Sequence, residues 1–197
     1  MPNDRPGLNR AAVVMAARDI VVADGLEGLS LRRIAADLGV TAPALYAYVD
    51  DKVDLLRGVA ELEFERLADR FDAIDTPDPL ARIREQAVAY VNHALEDPAL
   101  FRVMFLFRPD WAQQPSVDEL PAATKTFALG ASAIDAAMAS GALRSADPLL
   151  VAISVWAAAH GAASVLLAGI NLGAEYESQV VATVIDNLLA GLAAPER

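Results

Sequence analysis

The chain has 197 residues, 55% of them apolar and 22% charged, which is enough to bury a sizeable core and far from a disordered composition. It has no cysteine and two histidines, which excludes a disulfide scaffold, a thiolate metal site and a cysteine nucleophile. The net charge of -11 argues against nucleic acid as a whole-surface partner, but residues 1–60 carry 7 basic and 8 acidic groups, so the acidity belongs to the remainder and a local basic face is permitted at the N-terminal end.

The opening residues MPNDRPGLNR lack the apolar stretch and small-residue cleavage site of a secretory signal, and a cytoplasmic chain is expected. Period-two alternation is missing, whereas Ala, Leu, Arg and Glu fill long runs, so the expectation is an all-α fold of about nine helices. The first spans about Asn9 to Asp24 and stops at Gly25. Ser30 caps a second in which Leu31, Ile34, Ala35 and Leu38 keep helical spacing up to Gly39. After the turn Gly39-Val40-Thr41, Pro43 fits the first turn of a third helix expected over about Ala42 to Val49. A fourth, capped by Asp51, runs to about Ile74, where Thr76-Pro77-Asp78-Pro79 interrupts the pattern.

That breaker is the expected boundary between a first domain over 1–56, extended by the linking helix of about 51–74, and a helical domain over 75–197. In the second part, helices are expected near 79–96, 99–108, 117–140, 147–170 and 175–193. No residue between Asp147 and Glu175 is formally charged, a length that matches a bilayer. Its alanine-rich centre holds a histidine and its flanks are acidic, which favours a buried or partnered helix and no membrane. On the last helix, Val181, Val184, Ile185, Leu188, Leu189 and Leu192 form an apolar stripe, and with Val155 and Ala162 they are the expected homodimer interface.

Two short helices joined by a tight glycine turn form a helix-turn-helix pattern, a common arrangement by itself. Arg10, Ala16-Ala17, Gly25, Ser30, Ile34-Ala35, Gly39-Val40, Leu45-Tyr46, Lys52 and Leu55-Leu56 extend it over a quarter of the chain. This segment resembles the DNA-binding domain of the TetR family of transcriptional regulators, and Trp156-x-x-x-His160-Gly161 resembles a signature of one subgroup's ligand-binding domains. The resemblance implies a homodimer that binds an inverted-repeat operator in double-stranded DNA, represses transcription and is released by a small effector, here expected to be largely apolar. It also assigns a base-contacting role to Arg32.

The residues themselves carry the chemistry that such a role requires. Ser30, Arg32 and Arg33 begin the second helix, where cations and hydroxyls reach phosphate or a guanine edge. Thr41, Ala42, Pro43, Ala44, Tyr46 and Tyr48 line the third, offering hydroxyls to phosphate and methyls to thymine, while Tyr48 has the alternative of packing inward. Lys52 opens the fourth helix, where the helix dipole disfavours a cation unless an anion binds beside it. The N-terminal arm offers only Arg5 and Arg10, and Asp50 and Asp51 depart from the family pattern, so a modest salt dependence is expected.

For an effector, Phe101, Met104, Phe105, Arg108, Trp111, Phe127, Trp156 and His160 are the candidates, since helical bundles build pockets from aromatic groups and a few polar anchors. No clustered nucleophile-base pair, metal-ligand set or phosphate-binding glycine loop is present, so no catalytic residue, metal or cofactor is expected. The competing reading is a helical module whose helix-turn-helix docks a protein; Arg32 together with Lys52 favours DNA.

Overall fold

The computed structural model describes residues 8–106, 120–170 and 173–194. These form nine α-helices: α1 Arg10–Asp24, α2 Leu31–Leu38, α3 Ala42–Leu45, α4 Lys52–Asp72, α5 Pro79–Glu96, α6 Pro98–Met104, α7 Pro121–Ala139, α8 Pro148–Leu167 and α9 Ala174–Leu192. A single 3-10 turn, Leu26–Gly28, separates α1 from α2. Ser30 caps α2 as expected, accepting from the Arg33 amide, and side-chain caps also stand at Asn9, which accepts from the Ala12 amide, at Asp78, from Leu80, and at Asp147, from Leu149 and Leu150. Gly39 ends α2 in the left-handed region at φ 69°, which an L side chain enters only at a cost.

The chain divides into two compact units. The first contains residues up to Glu63 together with Ala99–Leu120; the second contains Phe64–Pro98 and everything from Pro121 onward. The division thus falls inside α4 rather than at the Thr76–Pro79 breaker, and α6 joins the N-terminal unit because Leu100 and Val103 are buried in its core.

That core is built from Val13, Ala17, Ile20 and Val21 of α1, Ile34 and Ala35 of α2, Leu45 of α3 and Leu55, Val59 and Ala60 of α4. A Cβ on Gly58 would come within 2.7 Å of Val14 Cγ2, so glycine lets α1 and α4 approach closely. Arg18 and Glu63 pair beneath this contact, Nε to Oε1 at 2.6 Å.

In the second unit α5 packs on α7, α8 and α9, and α8 lies against both α7 and α9. Among the described residues α8 alone is long and apolar enough to cross a membrane. It contributes Val151, Ala152, Ala159, Ala162 and Ala163 to the unit's interior. Val181, Ile185 and Leu189 of α9 are buried in the same interior.

Candidate nucleic-acid interface

The helix-turn-helix rests on two local hydrogen-bond systems. At the end of α2 the amides of Gly39 and Val40 return to the carbonyls of Ala36 and Ala35, which turns the chain into α3 within three residues. At the start of α4, Asp51 Oδ1 accepts from the Asp54 amide at 2.8 Å, and Asp54 Oδ2 accepts from the Asp50 amide at 3.0 Å. The α4 end is therefore partly capped by the chain's own carboxylates.

α3 is shorter than the expected Ala42 to Val49. It ends at Leu45, and Tyr46 to Tyr48 continue as a turn closed by bonds from the amides of Tyr48 and Val49 to the Leu45 carbonyl. Thr41, Pro43 and Tyr46 are exposed, Ala42 and Ala44 half-buried. Tyr48 is half-buried against the core, and its carbonyl accepts from Arg10, so its ring has taken the inward course.

The cations divide into free and engaged. Arg32 is exposed, and among the described residues no carboxylate pairs with it. Arg33 pairs with Asp24 and lies 4.0 Å from Asp37, which ties α2 to the end of α1. Ser30 spends its oxygen on the α2 cap, accepting from the Arg33 amide at 3.3 Å, while its hydroxyl proton remains available to a phosphate. Lys52 Nζ donates to the Leu26 carbonyl at 3.4 Å, placing the start of α4 beside the turn that leads into α2.

Arg10, counted from sequence among the phosphate cations, is instead drawn inward to Asp54 and the Tyr48 carbonyl. This pairing raises the Arg10 pKa and holds the Asp54 carboxyl below its usual range, the side-chain hydrogen bond being the largest cause of both. Arg5 lies outside the described residues.

The effector candidates fall in different units. Phe101, Met104 and Phe105 belong to the first, with the Phe101 and Phe105 rings meeting edge-on at 5.1 Å. Phe127, Trp156 and His160 belong to the second, and Arg108 and Trp111 lie outside the described residues. Trp156 and His160, one turn apart on α8, converge on Tyr90 of α5: indole Nε1 donates to the Tyr90 oxygen at 3.2 Å, and that hydroxyl is 2.7 Å from His160 Nδ1.

The hydroxyl oxygen accepts the indole proton and shares a second hydrogen bond with the imidazole, a contact that the neutral forms of both groups can make. Burial acts in the same direction on both groups, lowering the His160 pKa and raising that of Tyr90. Tyr90 escaped the sequence reading because it sits at core spacing with Ile83, Ala87 and Ala94, and its partners are 66 and 70 residues away.

Of the residues expected at a dimer face, Ala162, Val181, Ile185 and Leu189 are buried within the second unit. Val184 is exposed, and Val155, Leu188 and Leu192 are half-buried. The exposed side of α8 is carried by Ile153, Ala157, Gly161, Ser164 and Val165.

Two family models match in tandem. The one described as bacterial regulatory proteins, tetR family, covers residues 13–70, and the one described as tetracyclin repressor-like, C-terminal domain, covers residues 83–189. The chain belongs to the TetR family of transcriptional regulators. It is 52% identical over 52 residues to the HTH-type transcriptional repressor DrrR1 of Streptomyces coeruleorubidus, a match covering 26% of this chain and 19% of that repressor.

A longer match, 28% identical over 160 residues, joins it to an HTH-type transcriptional regulator of Mycobacterium tuberculosis, over 78% of this chain and 68% of the relative. In three dimensions it is similar to a solved protein of unknown function from Rhodococcus sp. RHA1, with a TM-score of 0.83 and 27% identity over 98% of this chain and 100% of the other. The Streptomyces relative is named a transcriptional repressor and the Mycobacterium relative a transcriptional regulator.

Proposed function

We propose that this TetR-family chain is a cytoplasmic homodimeric repressor whose residues Ser30 to Lys52 bind an inverted-repeat operator, and that a small, largely apolar effector releases it. The observation that carries the DNA reading is the placement of Lys52 against Leu26: it brings a cation at the head of α4 next to the amino end of α2, where Arg32 and the Ser30 hydroxyl stand exposed. Phosphate binding by Lys52 would replace a single bond to a carbonyl with a charge-assisted one and satisfy the neighbouring helix amides.

The base-reading set is sparse. Arg32 offers a bidentate guanine contact, while Thr41, Ala42, Pro43, Ala44 and Tyr46 offer hydroxyl and methyl contacts, so fit and DNA deformability carry much of the selectivity. Repression agrees with the function named for the Streptomyces relative. The exposed face of α8 supports the dimer, since an apolar and small-residue face of this extent calls for a partner.

Effector release needs a ligand whose affinity differs between two states. Tyr90, Trp156 and His160 supply a polar anchor for it within an aromatic and aliphatic surrounding. α4 starts at Lys52 in the first unit and ends at Asp72 in the second, so one unbroken helix carries a displacement to the phosphate-binding end.

Selection of duplexes from a randomised pool by the purified chain tests the proposal. An enriched inverted repeat with half-sites about 34–36 Å apart, or one DNA turn, is expected; a pool left unenriched overturns it.

A further inference from the structure

Arg10 opens α1, yet its guanidinium reaches the far side of the helix-turn-helix. Nη1 donates to the Tyr48 carbonyl at 2.8 Å and to Asp54 Oδ2 at 2.8 Å, and Nη2 donates to Asp54 Oδ1 at 2.7 Å. Both protons of Nη1 and one of Nη2 are thus committed inside the chain. Asp54 is committed equally, through the Asp50 amide and through its own amide to Asp51.

One bidentate pair therefore joins three pieces: the start of α1, the turn that follows α3 and the first turn of α4. The turn between them, residues 46 to 51, has no buried side chain except Val49, so its placement depends on these polar bonds. The pair also neutralises Asp54, which stands in the first turn of α4 beside Asp50 and Asp51, at the end where Lys52 would meet phosphate.

We infer that Arg10 and Asp54 are positioning residues for DNA recognition: their bidentate pair sets α3 against Lys52, and Arg10 itself contacts no phosphate. The inference rests on the DNA-binding reading and names a further part of the same site. The exposed location of Arg10, 47% at the side chain, is that of a DNA-contacting cation, and only its partners distinguish the two roles.

The test uses the full chain, the duplex enriched by the wild type and an unrelated duplex of equal length, with affinities measured at two salt concentrations. Arg10→Gln and Asp54→Asn are each expected to weaken the enriched duplex roughly tenfold, as loss of a bidentate pair would. Neither should change the slope of affinity against salt or greatly change the unrelated duplex.

A phosphate-binding Arg10 gives the opposite pattern and overturns the inference: Arg10→Gln would lower the slope by about 0.9 per phosphate lost and weaken both duplexes, while Asp54→Asn, freeing the arginine, would strengthen binding. Wild-type affinity in both single variants overturns it as well. Should Asp54→Asn fail to keep its helical circular dichroism, Arg10→Lys, which keeps the charge and loses the fork, carries the same comparison. A wild type that enriches no duplex removes the DNA reading itself and this inference with it.

Discussion

Glu63 Oε1 accepts from Arg18 Nε at 2.6 Å, with the carboxylate side chain 3% exposed and the guanidinium side chain 17% exposed. The pair joins α1 to α4 in the first unit, and the Glu63 carboxylate is almost fully shielded from water. Arg18→Ala is therefore expected to lower stability by about 3–5 kcal/mol, whereas the apolar double replacement Arg18→Met with Glu63→Leu should recover much of it. Urea denaturation checks both, and a single variant within 1 kcal/mol of the wild type would contradict this account.

The half-buried His160, hydrogen-bonded to the Tyr90 hydroxyl, predicts an acid-sensitive element in the second unit. Burial lowers the folded-state pKa of His160 below the value of about 6.5 that an exposed histidine has. The unfolded chain then binds the proton more readily. The contribution is complete above that value and is lost as pH falls through the folded pKa. Melting temperatures between pH 7.5 and pH 5 should fall further for the wild type than for His160→Gln. Parallel curves would show that the imidazole is not the titrating group. Asp54 and Glu96, whose carboxyls are held below the usual range mainly by Arg10 and Arg70, lose their contributions at lower pH in both proteins.

Asp50 is exposed two residues before Lys52 and repels the phosphate that Lys52 would hold. Its side chain takes no part in the Asp51–Asp54 capping bonds, so Asp50→Asn removes charge without altering the helix end. Affinity for the enriched duplex should rise roughly threefold near 0.1 M salt and the gain should shrink as salt increases. An unchanged dissociation constant at low salt would place the DNA backbone away from this turn.

Gly161 offers a clean probe of the proposed dimer. It lies on the exposed side of α8 with ordinary helical backbone, and a Cβ added there meets nothing within 4 Å. Gly161→Glu should leave the fold intact, or firmer by up to about 1 kcal/mol from reduced backbone entropy, while burying a charge against the partner. A monomeric mass in sedimentation equilibrium is expected; a dimer as stable as that of the wild type would place the interface elsewhere.

Local chemistry made most of the helices legible. Ser30, Gly39, Pro79, Pro98 and Pro148 mark helix ends that the structure reproduces within a residue or two, because each acts through its own backbone. α3 is shorter than its composition predicts, since Tyr46, Ala47, Tyr48 and Val49 continue a helical composition while the chain there turns back on the Leu45 carbonyl and meets a guanidinium 38 residues earlier. The same limit hid the union of α6 with the first unit and the convergence of Trp156 and His160 on Tyr90, all of them products of non-local packing. On α9 the apolar stripe spans two faces, and composition alone could not tell that Val181, Ile185 and Leu189 turn inward while Val184 faces out.

The central claim is that Ser30 to Lys52 read DNA, and its most direct test is the affinity of Lys52→Ala and Arg32→Ala for the enriched duplex and its single-base variants at two salt concentrations. Lys52→Ala should weaken every duplex and reduce the salt slope by about 0.9 for each protomer's lost phosphate. Arg32→Ala should cost about 1–3 kcal/mol and relax preference at one base pair in each half-site. Wild-type affinity, slope and base preference in both variants would contradict the account.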